Sequence, residues 1–352
     1  MENTGSAAIA GNTVFQSLLL PAVVGRFPVF QSGQSRHVAN GSSLVEILIG
    51  LFLGLLLCLL LVSSWLVNYR AFSQTTQLAE LQQNGQFMLS FMQQELANQQ
   101  FWAGLDAGSL RAPELTAPVA DCAGSVDSGS FGRDDQPFFT LYSGTVGANS
   151  MPGCLNNAQQ GSDFIQLKRL AGSLTPVGEL KFNRVYLQLS PASAEFVTSQ
   201  SSGLSADFRY FPYVHQLFYV AVQQQQGREM PVLMRKRLIR QQQGQLVIDT
   251  SSVLDGVEHL HFEFGIDTNA DGQADYSTTA MQIPAEIWSG QQAMIMQVRF
   301  YLLLRSLTAD PSYSNHQQYQ LGQRLFQAPG DPYRRLLVSS AVTFNNLKPK
   351  EL

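Results

Sequence analysis

Six residues, Gly41-Ser42-Ser43-Leu44-Val45-Glu46, set a small residue and a carboxylate at the mouth of a long apolar run. A small residue just ahead of a membrane helix lets a peptidase reach extended backbone. Cutting after Gly41 would create a new amine on Ser42 and leave Glu46 fifth in the shortened chain. A carboxylate drawn into hydrocarbon costs about 2.5–3.5 kcal/mol on insertion scales, so an intramembrane Glu marks a site that has a partner. The new amine is the obvious partner. A Glu close to the membrane boundary can instead reach the headgroups, and the residues leave both readings open.

A second cluster is Asp267-Thr268-Asn269-Ala270-Asp271-Gly272-Gln273-Ala274-Asp275. Oxygen side chains at alternating positions converge when a glycine turns the chain sharply, and a hard cation such as Ca2+ takes six to eight oxygens. Asp267, Asn269, Asp271 and Asp275 would offer side-chain oxygen and Gln273 its backbone carbonyl. Thr278 stands where an EF-hand has its bidentate Glu, so an EF-hand is not supported. The competing account is an Asp/Asn/Gly turn joining two strands. His259 and His261 share one face of an expected strand near Glu258 and Glu263; two His at that spacing can bind a transition metal, but the reading preferred is ordinary strand positions.

Of three cysteines, Cys58 lies in the apolar run as a small filler, while Cys122 and Cys154 lie in a Gly/Ser/Asn-rich stretch. Outside the cytoplasm, a Cys122–Cys154 bridge closing about 30 residues stabilises by roughly 3–4 kcal/mol through the unfolded state; two unrelated thiols are the alternative. No Gly-x-Ser-x-Gly, His-Glu-x-x-His, Walker or dinucleotide fingerprint is present, so no catalytic constellation is visible.

The elements that must position these residues follow from periodicity. Leu44 to Val67 carries one charge in about 24 residues, enough to cross a hydrocarbon core. Its unbroken Leu-rich stretch has no polar face, which sets it apart from a soluble amphipathic helix. Gly50 and Gly54 form a Gly-x-x-x-Gly pair, suited to close helix pairing or to local softening of the helix. Residues 42–67 are therefore a transmembrane helix, and 68–103 its amphipathic extension. In that extension Phe72, Leu78, Leu81, Met88, Phe91, Met92 and Leu96 recur near helical spacing, with Gln82, Gln83, Gln93 and Gln94 on the other face.

Residues 1–41 are expected to be a removable leader. A start nearer Gln34 would leave Arg36 and His37 as a short basic one.

From Gly104 to about Gly161 the chain turns to Gly, Ser, Ala, Pro and Asp, the composition of a connection. Strand-like runs follow at Phe164–Leu170, Glu179–Leu189, Phe208–Val222, Pro231–Ile239, Gln245–Asp249, His259–Phe264, Met294–Leu304 and Leu336–Phe344. Gln223–Gly227 and Gln241–Gly244 read as hairpin loops. Residues 104–352 thus form one β-rich globular domain, and the fold class is α+β, with the amphipathic helix against a mainly antiparallel sheet. With 14% charged and 45% hydrophobic residues and a net charge of −4, the chain is too apolar for disorder and too weakly basic to grip a phosphate backbone. Nucleic acid is excluded as an expected partner.

The Gly41–Glu46 segment and the apolar helix resemble the class III-type signal of type IV prepilins and pseudopilins. The resemblance extends to PilW-type minor pilins through Leu81–Phe87 with Phe91, Glu95 and Leu96, through Leu254–Leu260 and Phe264–Asp267, and through Val298–Ser306 and Ala341–Asn346. It leaves roughly Asp106 to Arg228 unmatched. Ser42, where that family usually has Phe or Met, and the long leader are departures.

The resemblance implies a pilin-like fold, cleavage by prepilin peptidase between Gly41 and Ser42, N-methylation of Ser42, and pairing of Glu46 with a neighbouring subunit's amine. The implied role is a minor pilin that starts or caps a type IV pilus. It would be held in the inner membrane with its domain in the periplasm, in contact with other minor and major pilins, the inner-membrane assembly machinery and lipid. A type II secretion pseudopilin shares the N-terminal features. A bitopic protein with a periplasmic binding or hydrolase domain is the third reading.

Overall fold

The computed structural model describes residues 43–148, 151–191, 193–225 and 227–344, and these divide after Ser64 into two units. One helix, α1 (Leu44–Ala97), begins in the first and runs into the second. No proline interrupts it, and leucine and glutamine, its commonest residues, are strong helix formers. Its first 24 residues are exposed throughout, and it is the one described helix long and apolar enough to cross a membrane.

In the second unit α1 buries Gln77, Leu81, Gly85, Met88, Met92 and Leu96, the four- and three-residue steps of one helix face. Two expectations are corrected here. Phe72 and Leu78, read as part of this face, are 72% and 46% exposed, while Gln77 takes the buried position between them. The helix also stops at Ala97 rather than continuing to 103, because Gln100, Ala103 and Gly104 adopt positive φ, which an α-helix cannot accommodate.

The strands are β1 (Leu141–Thr145), β2 (Asp163–Leu170), β3 (Val185–Leu189), β4 (Ala194–Thr198), β5 (Arg209–Gln225), β6 (Arg228–Arg240) and β7 (Leu246–Asp255). They continue as β8 (Val257–Asp267), β9 (Tyr276–Thr279), β10 (Met294–Arg305), β11 (Gln318–Leu321), β12 (Arg324–Gln327) and β13 (Arg335–Thr343). A short helix, α2 (Ala285–Trp288), precedes β10.

All ladders between these strands are antiparallel. β1 to β7 make a seven-stranded sheet, β13-β10-β8-β9 a four-stranded one, and β11-β12 a separate hairpin. The run expected at Glu179–Leu189 is shorter: a 3-10 turn occupies Val177–Glu179 and the strand starts at Val185.

The seven-stranded sheet forks. Tyr213 of β5 faces Leu170 of β2 on one edge and Val185 of β3 on the other, so β3 lies on the edge that β6 also uses. β3 pairs with Arg209–Tyr213 there and β6 with Gln216–Gln225, and past this point two hairpins diverge, β3-β4 and β6-β7. Residues 111–119 bridge them: Arg111 pairs with Glu195 of β4, and Val119 with Val247 of β7.

One apolar cluster joins the α1 face to Phe164, Leu217, Phe218, Phe262, Phe264, Phe300 and Leu302 of the two larger sheets. The sheets are pinned by Asp163, 1% exposed, which accepts from Thr145 Oγ1 at 2.7 Å, His261 Nδ1 at 2.7 Å, the Phe262 amide at 3.0 Å and Arg324 Nη1 at 3.2 Å. One carboxylate thereby connects β1, β2, β8 and β12.

At Gly85 the backbone of α1 lies close against β13. A Cβ there would lie 3.0 Å from Val338 Cγ1 and 3.1 Å from Leu336 Cδ2. Gly85→Leu is expected to destabilise the chain by about 2–3 kcal/mol through overpacking, despite leucine's better helix propensity. Urea unfolding in detergent checks this, and an unchanged midpoint contradicts the close approach.

Candidate functional site

The first candidate site is the apolar half of α1. The amides of Glu46 and Ile47 donate to the Ser43 carbonyl at 2.9 and 3.2 Å, which starts the helix immediately before Leu44. Glu46 sits in the first turn, where the helix dipole favours negative charge, and is surrounded in sequence by exposed Leu44, Val45, Ile47 and Leu48. Gly41 and Ser42 lie outside the described residues. At Gly50 and Gly54 an added Cβ would meet nothing within 4 Å, so the pair presents open backbone. Cys58 is an exposed free thiol.

The other half of α1 is keyed to the sheets by polar groups. Glu95 accepts from Arg169 Nη2 of β2 at 3.1 Å and from the Gln216 side chain of β5. Gln93 Nε2 donates to Ser340 of β13 at 2.7 Å, and fully buried Gln99 donates to the Lys168 carbonyl at 3.1 Å. Phe91 meets Phe218 edge to face at 5.6 Å. Gln77, Gln93 and Gln99 are therefore contact residues, Gln77 and Gln99 buried ones that lie outside the expected glutamine face.

Residues 104–140, featureless in sequence, cover the opposite face of the seven-stranded sheet through a buried polar network. A disulfide joins Cys122 to Cys154, with Cα atoms 4.8 Å apart. Asp127 receives Lys168 Nζ at 2.7 and 2.8 Å, Gln166 Nε2 at 2.7 Å and the Phe139 amide at 2.8 Å, and neither charged side chain is more than 2% exposed. Removing one member of such a pair would strand the other charge, at about 3–5 kcal/mol.

Beside that pair, Ser130 Oγ lies 2.7 Å from Asp121 Oδ1 and 2.8 Å from His215 Nδ1. Carboxylate, hydroxyl and imidazole together suggest nucleophilic catalysis, but a catalytic triad needs the imidazole between the other two. Here the serine is between them. Its single proton goes to Asp121, so His215 donates from Nδ1 to the serine oxygen. Ser130 is fully buried and Tyr213 Oη donates to its carbonyl at 2.7 Å. The cluster fastens the connection to β5. A lysine and a histidine at buried positions of β2 and β5 were the available sequence signal.

The Asp267–Asp275 segment is a self-satisfied turn. Asp267 accepts from the amides of Asn269, Ala270 and Gly272 at 3.1, 2.7 and 2.9 Å. Asp271 accepts from the Gln273 amide at 2.8 Å, Asn269 from the Asp271 amide at 2.9 Å, and Asp275 from the Thr268 amide at 2.7 Å. Among the described residues no three His, Cys, Asp or Glu side chains gather as a metal cage. Ca2+ at Asp267, Asn269, Asp271, Gln273 and Asp275 thus rests on spacing alone. His261 and His259 serve different partners, Asp163 at 2.7 Å and the Phe326 ring at 4.7 Å.

Burial, with Lys168 nearby, pulls the His215 imidazole well below its ordinary 6.5, so it stays neutral in the folded chain. In the unfolded chain it takes up a proton below about pH 6.5, and stability falls as pH drops, by up to about 1.4 kcal/mol per unit for one group. His259, also lowered by burial, contributes in the same direction. Unfolding between pH 7 and 5.5 is expected to show this slope. His215→Asn, which keeps a donor toward Ser130, is expected to flatten it; an equal slope in the variant contradicts the assignment.

No curated protein and no solved structure matches the chain. Residues 217–346, which run from β5 to just past β13 and include the surface under Gly85, match the family model described as Type IV Pilus-assembly protein W. Residues 217–346 thus carry a PilW-type domain, which supports a part for the chain in type IV pilus assembly.

Proposed function

We propose that this chain is a minor pilin-like structural subunit that helps start or cap a type IV pilus. The observation that carries the reading is the two-part α1. An exposed apolar stretch with a single carboxylate near its start leads into a stripe, Gln77–Leu96, seated on a PilW-type sheet.

In this reading prepilin peptidase cuts after Gly41 and methylates Ser42. The apolar stretch is held in the inner membrane, with the β-rich domain in the periplasm, until assembly machinery moves it into a bundle with other minor and major pilins. Apolar burial supplies cohesion there. Glu46 sets register by pairing with the amine of a neighbouring subunit, because either charge left alone in an apolar bundle is costly. The family match favours pilus assembly over a secretion pseudopilin.

In a strain lacking the native copy, Glu46→Ala is expected to leave the protein cut and membrane-bound while surface pili fall at least tenfold. Gly41→Glu is expected to block cutting and pili together. Normal piliation with Glu46→Ala would contradict the pairing role.

A further inference from the structure

We propose that the fork of the seven-stranded sheet is a binding site for a small hydroxylated carboxylate of the hexuronate class, gripped by Arg240. A cavity of about 270 Å³ opens where β3-β4 and β6-β7 part, closed on one side by the 111–119 bridge. That is room for a monosaccharide-sized group rather than for a drug-sized ligand.

Arg240, the last residue of β6, is only 8% exposed and lines the cavity. Its Nε donates to the Gly244 carbonyl at 3.1 Å and its Nη2 to Gln200 Oε1 at 2.6 Å, while the guanidinium lies 4.2 Å from the Phe182 ring centre. Nη1 is buried and has no hydrogen-bond partner, and among the described residues no carboxylate forms an ion pair with Arg240. A desolvated cation with a free donor is a costly arrangement that an anion relieves. The planar fork of a guanidinium matches a carboxylate.

The remaining lining selects what accompanies the carboxylate. Thr198, Ser201 and Ser202 bring hydroxyls and Gln200 an amide. Glu114, the one acidic residue of the lining, is held by Ser202, whose amide donates to it at 3.3 Å. Such a wall hydrogen-bonds to sugar hydroxyls, with Glu114 as an acceptor, while Arg240 takes the charge. Gly244, with φ +90°, has its would-be Cβ 3.2 Å from Arg240 Nη2, so the β6-β7 turn holds the guanidinium close. This site is independent of the assembly role.

The test is calorimetric titration of the full chain in detergent micelles with D-galacturonate, with D-galactose as the neutral control of the same hydroxyl pattern. Galacturonate is expected to bind saturably in the millimolar range and galactose not to bind. Arg240→Met is expected to weaken binding at least tenfold. Glu114→Gln, which removes the opposing charge and leaves Arg240 in place, is expected to tighten it severalfold and serves if the first variant fails to fold. Absence of saturable galacturonate binding, equal binding of galactose, or folded Arg240→Met that binds as well as the unaltered chain would each overturn the proposal.

Discussion

A run of leucines that none of the described residues covers is the constraint from which the rest follows. Leu44 to Val67 of α1 are all exposed. The apolar area they offer is worth far more in lipid or against other helices than in water, at roughly 25 cal/mol per Å². Twenty residues later the same helix obeys the opposite rule, burying Met88, Met92 and Leu96 completely. The change between them lies in composition. Leucine on every face gives way to a stripe of mostly leucine and methionine at every third or fourth position, with mainly polar residues between.

The second half of α1 is held by shape as well as by grease. Gly85 permits close approach to β13, Glu95 is bound by Arg169 and Gln216, and Gln99 reaches the backbone of β2. Polar contacts of this kind fix one rotation of the helix on the sheet, because each donor or acceptor left without its mate after rotation would be buried unsatisfied. The same logic operates on the other face of the sheet. Asp127–Lys168 and Asp121–Ser130–His215 bind a segment whose Phe131, Phe138 and Phe139 are buried in the same core. That face therefore has no need of a regular element to cover it.

Much of this was legible in the residues. The two-part helix and the long strands β5, β6, β8 and β10 announce themselves through extended runs, where many positions vote for one period. Strands of four or five residues, such as β1, β4, β9, β11 and β12, offer too few positions to stand out, and they form because longer partners pair with them. Phe72 and Leu78 have the right spacing yet stay exposed, since periodicity specifies a face of the helix and not what meets it. What residues 104–140 pack against was not readable for a related reason: their order comes from partners, such as Lys168 and His215, that lie dozens of residues away. At the candidate site, Glu46 and the apolar run are plain in sequence, whereas the forked sheet with Arg240 arises only from strand pairing.

The central claim is that this helix becomes an assembly element once a new amine is made beside Glu46. N-terminal sequencing and intact mass of the protein purified from membranes test it most directly. The account predicts a chain that begins at Ser42, carries one added methyl group, and has lost the first forty-one residues. A mature protein that retains those residues, or begins elsewhere with an unmodified amine, would contradict it.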